Sequence, residues 1–372
     1  MLVARSVRPL DQPAPAQPLN LTWSPPSGMV GLSFINYFLR IITLGIYHFW
    51  GKTEVRRRIW SSIRINGEPL HYTGTGRELF LGFLIVFALV LLPVFAVSIV
   101  SALVFGPNSP IAYAVQALTY LVVFTLIGFG IWRAMRYRLS RTHWRGIRAG
   151  LEGSQGRYAW TYIWTAILNP FTLGWLTPWR TTKLQSLMVS DMRFGDRPLQ
   201  FNASSGPLYG RFAGLWIGGI ILYAGMFGVL GAMFYPKFVA AHESGRPPLI
   251  TAMDAVTVFA ILFVFLLLLG IVGAWYRAKV INHFAAHTHF EGATFRGTAT
   301  ARGLIWLAIS NFLISILSLG ILAPIAQMRS ARYQVQNLKI DGAVPLAAIA
   351  QGAAASGKYG EGLAQAFDFD AF

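Results

Sequence analysis

At residues 36–72 the chain reads NYFLRIITLGIYHFWGKTEVRRRIWSSIRINGEPLHY. The same order of parts returns at residues 165–201, TAILNPFTLGWLTPWRTTKLQSLMVSDMRFGDRPLQF, and at 311–346, NFLISILSLGILAPIAQMRSARYQVQNLKIDGAVPL. Each stretch carries a Leu-Gly pair (Leu44-Gly45, Leu173-Gly174, Leu319-Gly320) with an aromatic residue or proline four positions after the glycine. A basic, helix-like run follows, then a second glycine (Gly67, Gly195, Gly342) 21 or 22 residues beyond the first, with Pro-Leu two or three residues later. Agreement at this many offsets marks an internal repeat, one supersecondary unit used three times.

The apolar half of each unit is broken. Residues 28–50 carry Arg40, residues 158–179 carry Asn169-Pro170 and Pro178, and residues 303–325 carry Asn311 and Pro324. Three parallel interruptions predict broken, re-entrant or interfacial segments instead of plain spans. Between the units lie four cleaner runs, about 79–105, 111–132, 208–235 and 249–275. Each is long enough to cross roughly 30 Å of hydrocarbon as a helix. The first two are joined by the uncharged turn GPNSP, the second two by the longer YPKFVAAHESGRPP, read as a loop.

Composition agrees. Hydrophobic residues make up 55% and charged residues 12% of 372, too few charges to coat two soluble cores. The 31 Lys plus Arg outnumber the 14 Asp plus Glu. They sit in short loops between apolar runs, the mark of an anionic membrane face and not of nucleic acid. If all seven stretches span, the loops 180–207 and 276–302, with four Lys/Arg each, fall outside; if only four span, 27 of the 31 lie inside. The positive-inside rule therefore favours four spans, with both termini cytoplasmic and seven spans as the alternative. There are no cysteines, which excludes disulfides, thiolate catalysis and Cys-based zinc sites.

After each basic run, apolar and polar residues alternate around a turn dipeptide: Asn66-Gly67, Gly195-Asp196 and Asp341-Gly342. Shorter echoes occur at Thr142–Gly146 (THWRG) and Thr288–Gly292 (THFEG). The fold class is thus an α-helical multi-pass membrane protein with cytoplasmic β-hairpins and internal repeats: four clear spans plus three broken segments. The chain divides into a disordered tail (1–27), repeat 1 (28–77), a helical hairpin with a basic loop (78–157), repeat 2 (158–207), a hairpin with a His-containing loop (208–302), repeat 3 (303–346) and a flexible acidic-aromatic tail (347–372).

The repeat offers Asn36, Arg40, Gly45, Asn169, Gly174, Asn311 and Gly320 as candidate functional positions. In the second unit Asn169 stands five residues before its glycine, where Asn36 and Asn311 stand nine before theirs. Arg56, Arg57, Arg58, Arg136, Arg138, Arg141 and Arg145 form a surface for anionic lipid headgroups. His283, His287, His289 and Glu291 are spaced as metal ligands, so zinc is conceivable, although imidazoles also anchor helices at a bilayer interface. Glu54, Glu78, Glu152 and Glu291 are candidates for proton coupling, against which stand the basic residues beside each. No nucleophile elbow, P-loop or HExxH motif occurs.

The first unit, with TLGIYHFWGK, the RRR run and NGEPLHYTGTG before an apolar helix, resembles the YjgN family of bacterial inner-membrane proteins, as does the C-terminal GEGLAQAFDFD. The resemblance implies an inner-membrane location and no activity, since the family's function is unknown; a membrane-associated zinc peptidase is a candidate partner by its gene neighbourhood in relatives. The expected function is non-enzymatic transport or handling of a substrate or lipid. A membrane scaffold for a partner such as that peptidase is the alternative, and a metal-dependent enzyme using the histidines a further one.

Overall fold

The computed structural model describes residues 16–352. Their helices pair into five hairpins, short and long in alternation. The short ones are α1 (Met29–Ile42) with α2 (His48–Ser62), α6 (Gln155–Phe171) with α7 (Thr177–Ser190), and α10 (Ala301–Leu317) with α11 (Ala323–Gln336). The first long one is α3 (Gly76–Val86), a π-helical turn (Phe87–Leu91) and α4 (Leu92–Phe105), paired with α5 (Pro110–Ser140). The second is α8 (Gly206–Ser244) with α9 (Ala252–Ala286).

Local chemistry sets these boundaries. Serine or threonine caps α5, α6, α9 and α10, each accepting from a backbone N–H in the first turn, and Thr251 with Asp254 completes a capping box on α9. Pro93 lacks an N–H and crowds the carbonyl four residues back, which accounts for the wider π turn just before it. Helix α8 runs through Pro236 to Ser244, so most of the stretch read as a loop is helical. There Lys237 reaches Asp254 across the hairpin at 2.5 Å. Four helices, of 30, 31, 39 and 35 residues, are long and apolar enough to cross a membrane. The first helices of the short hairpins have 14, 17 and 17 residues, or about 21–26 Å.

Each short hairpin reverses at its Leu-Gly pair. The leucines adopt φ 50 and the glycines φ 92, 81 and 82, a left-handed pair that ends one helix and aims the chain back. The glycine N–H donates five residues back in every case, to Arg40, Asn169 and Ser315 at 2.7–2.8 Å. Thr43, Thr172 and Ser318, two positions before the glycine, accept on their hydroxyls from the backbone N–H of Tyr47, Leu176 and Leu322 at the start of the next helix.

The strands are β1 (Gln17–Pro18), β2 (Leu21–Trp23), β3 (Ile63–Ile65), β4 (Glu68–Pro69), β5 (His71–Tyr72), β6 (Thr142–Trp144), β7 (Ile147–Leu151), β8 (Met192–Phe194), β9 (Arg197–Pro198), β10 (Gln200–Phe201), β11 (Thr288–Phe290), β12 (Ala293–Gly297), β13 (Leu338–Asp341) and β14 (Ala343–Val344). Every helical hairpin is closed at its base by an antiparallel pair: β2–β3, β5–β6, β7–β8, β10–β11 and β12–β13. Tight turns link successive bases, with φ above zero at Asn66-Gly67, Arg145-Gly146 and Glu291-Gly292, as two-residue hairpins of the primed type need.

Three expectations change here. The turn at Asp341-Gly342 does not close on itself; β14 pairs with β1. Residues 17–23, read as part of a disordered tail, therefore form strands: β2 pairs with β3, and Asn66 both accepts from the Asn20 N–H (2.7 Å) and donates to the Pro18 carbonyl (3.0 Å). The start of the tail read as flexible is also held, Leu346–Ala348 forming a 3-10 turn and the Ala350 N–H donating to Asp196 Oδ1 at 3.0 Å; residues 1–15 and 353–372 lie outside the described residues.

The meander bends at Leu70 and Leu199, where β4 passes into β5 and β9 into β10. With β14 on β1 and β13 beside β2, it comes back on itself as a ring of short strands. Alternate side chains face inward. Leu19, Ile65, Leu70, Trp144, Phe194 and Ile340 line an apolar lumen of about 190 Å³. Ile349 is buried beside it against Phe290 and Val344.

Candidate functional site

The polar positions of the short hairpins tie one helix to the next. Asn36 Nδ2 donates to the Gly51 carbonyl at 3.4 Å, and Asn311 Nδ2 donates to the Ala326 carbonyl at 3.1 Å, in each case 15 residues on. In the second unit the matching position is Thr165, whose hydroxyl accepts from Arg180 Nε at 3.1 Å, again across 15 residues. Asn169 instead accepts from the Thr177 hydroxyl at 3.2 Å near the turn. Thr165 was therefore missed as the equivalent residue, and its spacing of nine before Gly174 was the available signal. Glycine suits position 51 because a Cβ there would stand 3.0 Å from the Asn36 side chain.

These side chains do not share one cavity. Asn36 and Arg40 line a pocket of about 120 Å³ where the first and third short hairpins meet, with Lys52, Gly320 and Gln327. Asn311 lines a groove of about 980 Å³ among α9, α10 and α11. Asn169 lines neither. The arrangement links helices within units and builds no single polar track through all three.

The arginines read as a headgroup surface divide. Arg56 and Arg138 are buried, with Arg56 donating to the Tyr72 hydroxyl at 3.3 Å. Arg57 donates to the Gly74 carbonyl and Arg58 to the Ser27 carbonyl. Arg136 lies over the Trp132 ring at 5.4 Å, a cation–π contact. Arg141 pairs with Glu78 at 2.7 Å, Glu78 also accepting from the Tyr137 hydroxyl at 2.6 Å, and Arg145 pairs with Glu68 at 2.8 Å.

The proposed proton carriers are likewise engaged. Glu54 meets Arg57 and Arg58, Glu152 meets Arg193 at 2.5 Å, and Glu291 lies 3.8 Å from Arg197. Outside the helical spans, burial pushes the His143 imidazole below its ordinary range; a hydrogen bond with the Arg141 backbone opposes this, and the charges of Arg148, Arg141 and His71 add to it. Burial also raises the Asp191 carboxyl, against the pull of Arg157.

The histidine cluster does not converge. His283 Nε2 lies 2.7 Å from the Ser204 carbonyl and His287 Nδ1 lies 2.8 Å from the His283 carbonyl. His289 sits in β11 opposite Gln200, and Glu291 turns away to Arg197. Among the described residues no three His, Cys, Asp or Glu side chains gather to hold a metal. The spacing misled because the chain leaves the helix at His287. That rotates the strand residues off the face shared by His283 and His287.

The groove is the largest of these cavities. Gly270 and Gly273 of α9 and Leu304, Leu307 and Ala308 of α10 give it apolar walls, while Arg277, Gln334 and Asn337 stand toward the strand ring. Tyr276 also lines it; its ring is buried and its hydroxyl has no hydrogen-bond partner. Neither Tyr276 nor Arg277 was singled out from the sequence.

Long apolar helices carrying mostly lipid-compatible exposed surface define a multi-pass membrane protein. The chain belongs to the family described as a bacterial protein of unknown function (DUF898), which it matches over residues 27–366. It is similar to the inner membrane protein YjgN of Salmonella typhimurium, 21% identical over 348 residues, covering 84% of this chain and 85% of that protein. It is also similar to the inner membrane protein YjgN of Escherichia coli O157:H7, 27% identical over 143 residues, 38% of this chain and 32% of that protein. No solved structure matches.

Proposed function

We propose that this protein handles lipid in a bacterial inner membrane without catalysing a reaction on it, and that its strand ring lies on the cytoplasmic side with both ends of the chain. The observation that carries the lipid reading is the position of the groove of about 980 Å³. It opens between α9 and the third short hairpin, beside exposed apolar helix surface, instead of along a central polar path. Four helices then cross the bilayer and the three short hairpins enter it and return. Paired strands at both ends of each hairpin support that topology, since the chain leaves and rejoins one layer. A helix of about 21–26 Å is also short for roughly 30 Å of hydrocarbon. Basic residues at the ring end of the helices, among them Arg57, Arg136 and Arg302, support the cytoplasmic assignment through the positive-inside rule.

The natural sequence has no cysteine, so single cysteines report sidedness without background. Cysteines at positions 190 and 290 should label only from the cytoplasm, and those at 108 and 245 only from the periplasm. Labelling of 190 or 290 from the periplasm would overturn the four-span arrangement. For lipid handling, the protein reconstituted in vesicles with a headgroup-labelled phospholipid should speed its movement between leaflets or to acceptor vesicles. A rate equal to protein-free vesicles in both assays would end that reading.

A further inference from the structure

The chain contains a second, longer duplication. An offset of 146 residues carries Thr142–Gly146 onto Thr288–Gly292 and Leu173-Gly174 onto Leu319-Gly320. It therefore carries α5, α6 and α7 onto α9, α10 and α11. The first of these assemblies is solid. Trp132, Leu151, Tyr158, Leu184 and Met188 are buried together, with Ile131 and Tyr162 packed against them. Phe124 and Tyr162 lie ring to ring at 5.9 Å, and the Arg180 guanidinium covers Tyr162 at 4.7 Å. Backbones approach closely, since a Cβ on Gly128 would stand 3.1 Å from the Ala159 Cα.

The second assembly has lost that filling. At the matching positions Leu151 becomes Gly297, Leu184 becomes Ser330 and Met188 becomes Gln334. Ile131 becomes Arg277, and the tilted ring pair Phe124–Tyr162 becomes Gly270 and Ala308. All six replacements line the groove. It is the hollow counterpart of a filled core, emptied of large apolar side chains and furnished with polar ones. A Cβ on Gly270 or Gly273 would meet nothing within 4 Å, so small residues there leave space and do not serve helix contact.

Two further observations say what belongs in that space. The Tyr276 hydroxyl is without a partner on a side chain only 9% exposed, and a buried polar group left unpaired is costly. The lining contains one cation, Arg277, and no carboxylate. Arg277, Gln334 and Asn337 line the part toward the strand ring, and Asn311 lines it beyond Leu304 and Ala308 along α10. Arg277 lies about 14 Å from the ring end of α9 and Gly270 about 24 Å from it, while Gln334 and Asn337 stand at the ring end of α11. A volume of about 980 Å³ is at the upper end of the usual size for a ligand site.

We propose that the groove seats one anionic phospholipid from the leaflet nearest the strand ring. Its headgroup lies against Arg277, Gln334 and the Tyr276 hydroxyl, and an acyl chain runs along Gly270, Gly273, Leu304 and Ala308. This rests on the lipid-handling reading only for its purpose; a groove that binds lipid stands even if no lipid is moved.

The test uses the full chain in nanodiscs containing phosphatidylglycerol with a photoactivatable diazirine on its acyl chain, with the same probe as phosphatidylcholine in parallel. Phosphatidylglycerol should label peptides from α9 and α10 at least several-fold more than phosphatidylcholine. Restoring the aromatic pair, Gly270→Phe with Ala308→Tyr, should abolish that excess. Arg277→Gln should bring the two probes to equal labelling even if the filled variant fails to fold. Labelling of α9 and α10 unchanged in a folded, filled variant overturns the site. Equal labelling by both lipids in the unaltered protein overturns the anionic headgroup. Normal groove labelling without lipid movement in vesicles would leave this site in place and remove the proposed function.

Discussion

The two helix pairs of the long duplication make a quantitative contrast at Gly128 and Gly273, neighbouring positions in the alignment, the offset carrying Gly128 itself onto Ala274. Gly128 of α5 and Gly273 of α9 both sit inside transmembrane helices, and replacing either by alanine brings the same change in helix propensity, about 1 kcal/mol in favour of alanine. Their surroundings differ. At Gly128 the new methyl would stand 3.1 Å from the Ala159 Cα and 3.2–3.3 Å from Tyr162 atoms. Carbon pairs prefer about 3.5–4.0 Å, so α5 and α6 must part by several tenths of an ångström along their contact. The Ala159 atom is backbone and cannot rotate away. Overpacking of this kind costs about 1–3 kcal/mol. At Gly273 the methyl meets nothing within 4 Å and the propensity gain stands alone. The two substitutions should differ by about 1–3 kcal/mol, Gly128→Ala lowering and Gly273→Ala raising stability. Reversible unfolding in bicelles, or thermal melts of both variants in one detergent, measures the difference. Equal shifts would refute the claim that one helix pair is filled and the other open.

Other outcomes follow from the ion pairs and polar links. Glu78→Gln removes the charged acceptor of Arg141 and should cost about 1–2 kcal/mol, allowing for its partial exposure; a cycle with Tyr137→Phe should show coupling, and strict additivity would mean that the three groups do not act together. Asn311→Leu deprives Arg329 Nε of its acceptor at 3.0 Å and two further groups of a donor. It should lower the melting temperature more than Asn169→Leu, which loses one hydroxyl bond from Thr177; the reverse order would contradict the structure. His143 is held neutral by burial, with its pKa lowered in the folded state, so below about pH 6.5 the unfolded chain takes up the proton more readily. That contribution is present above this value and is lost as the pH falls toward the folded pKa. Acidification from about pH 7 to 5 should therefore destabilise the natural protein more than His143→Phe, and identical pH profiles would exclude His143 as a cause.

The parts legible in the sequence are those governed by neighbours along the chain. Leu44-Gly45 and its two counterparts mark the reversals because a left-handed pair followed by a new helix is local geometry. Asn66-Gly67 marks a hairpin for the same reason. The sequence spacing of His283, His287, His289 and Glu291 was read without the break at His287, and the ligands it seemed to gather part company there. Asn169 attracted notice by its residue type, whereas Thr165 holds the position that matters in the second unit.

By itself, then, the sequence determined that this chain belongs in a bilayer. A composition of 55% hydrophobic and 12% charged residues cannot be reconciled with water on all sides, whatever the fold. It also determined where helices turn, through residues whose backbone preferences act within a few positions. Only the tertiary structure decided that β14 pairs with β1 and not with β13. It alone decided that Phe124–Tyr162 fills one helix interface while Gly270 and Ala308 leave its counterpart open. Those outcomes depend on contacts between segments tens to hundreds of residues apart, where one side chain's volume sets whether two helices touch or enclose a space.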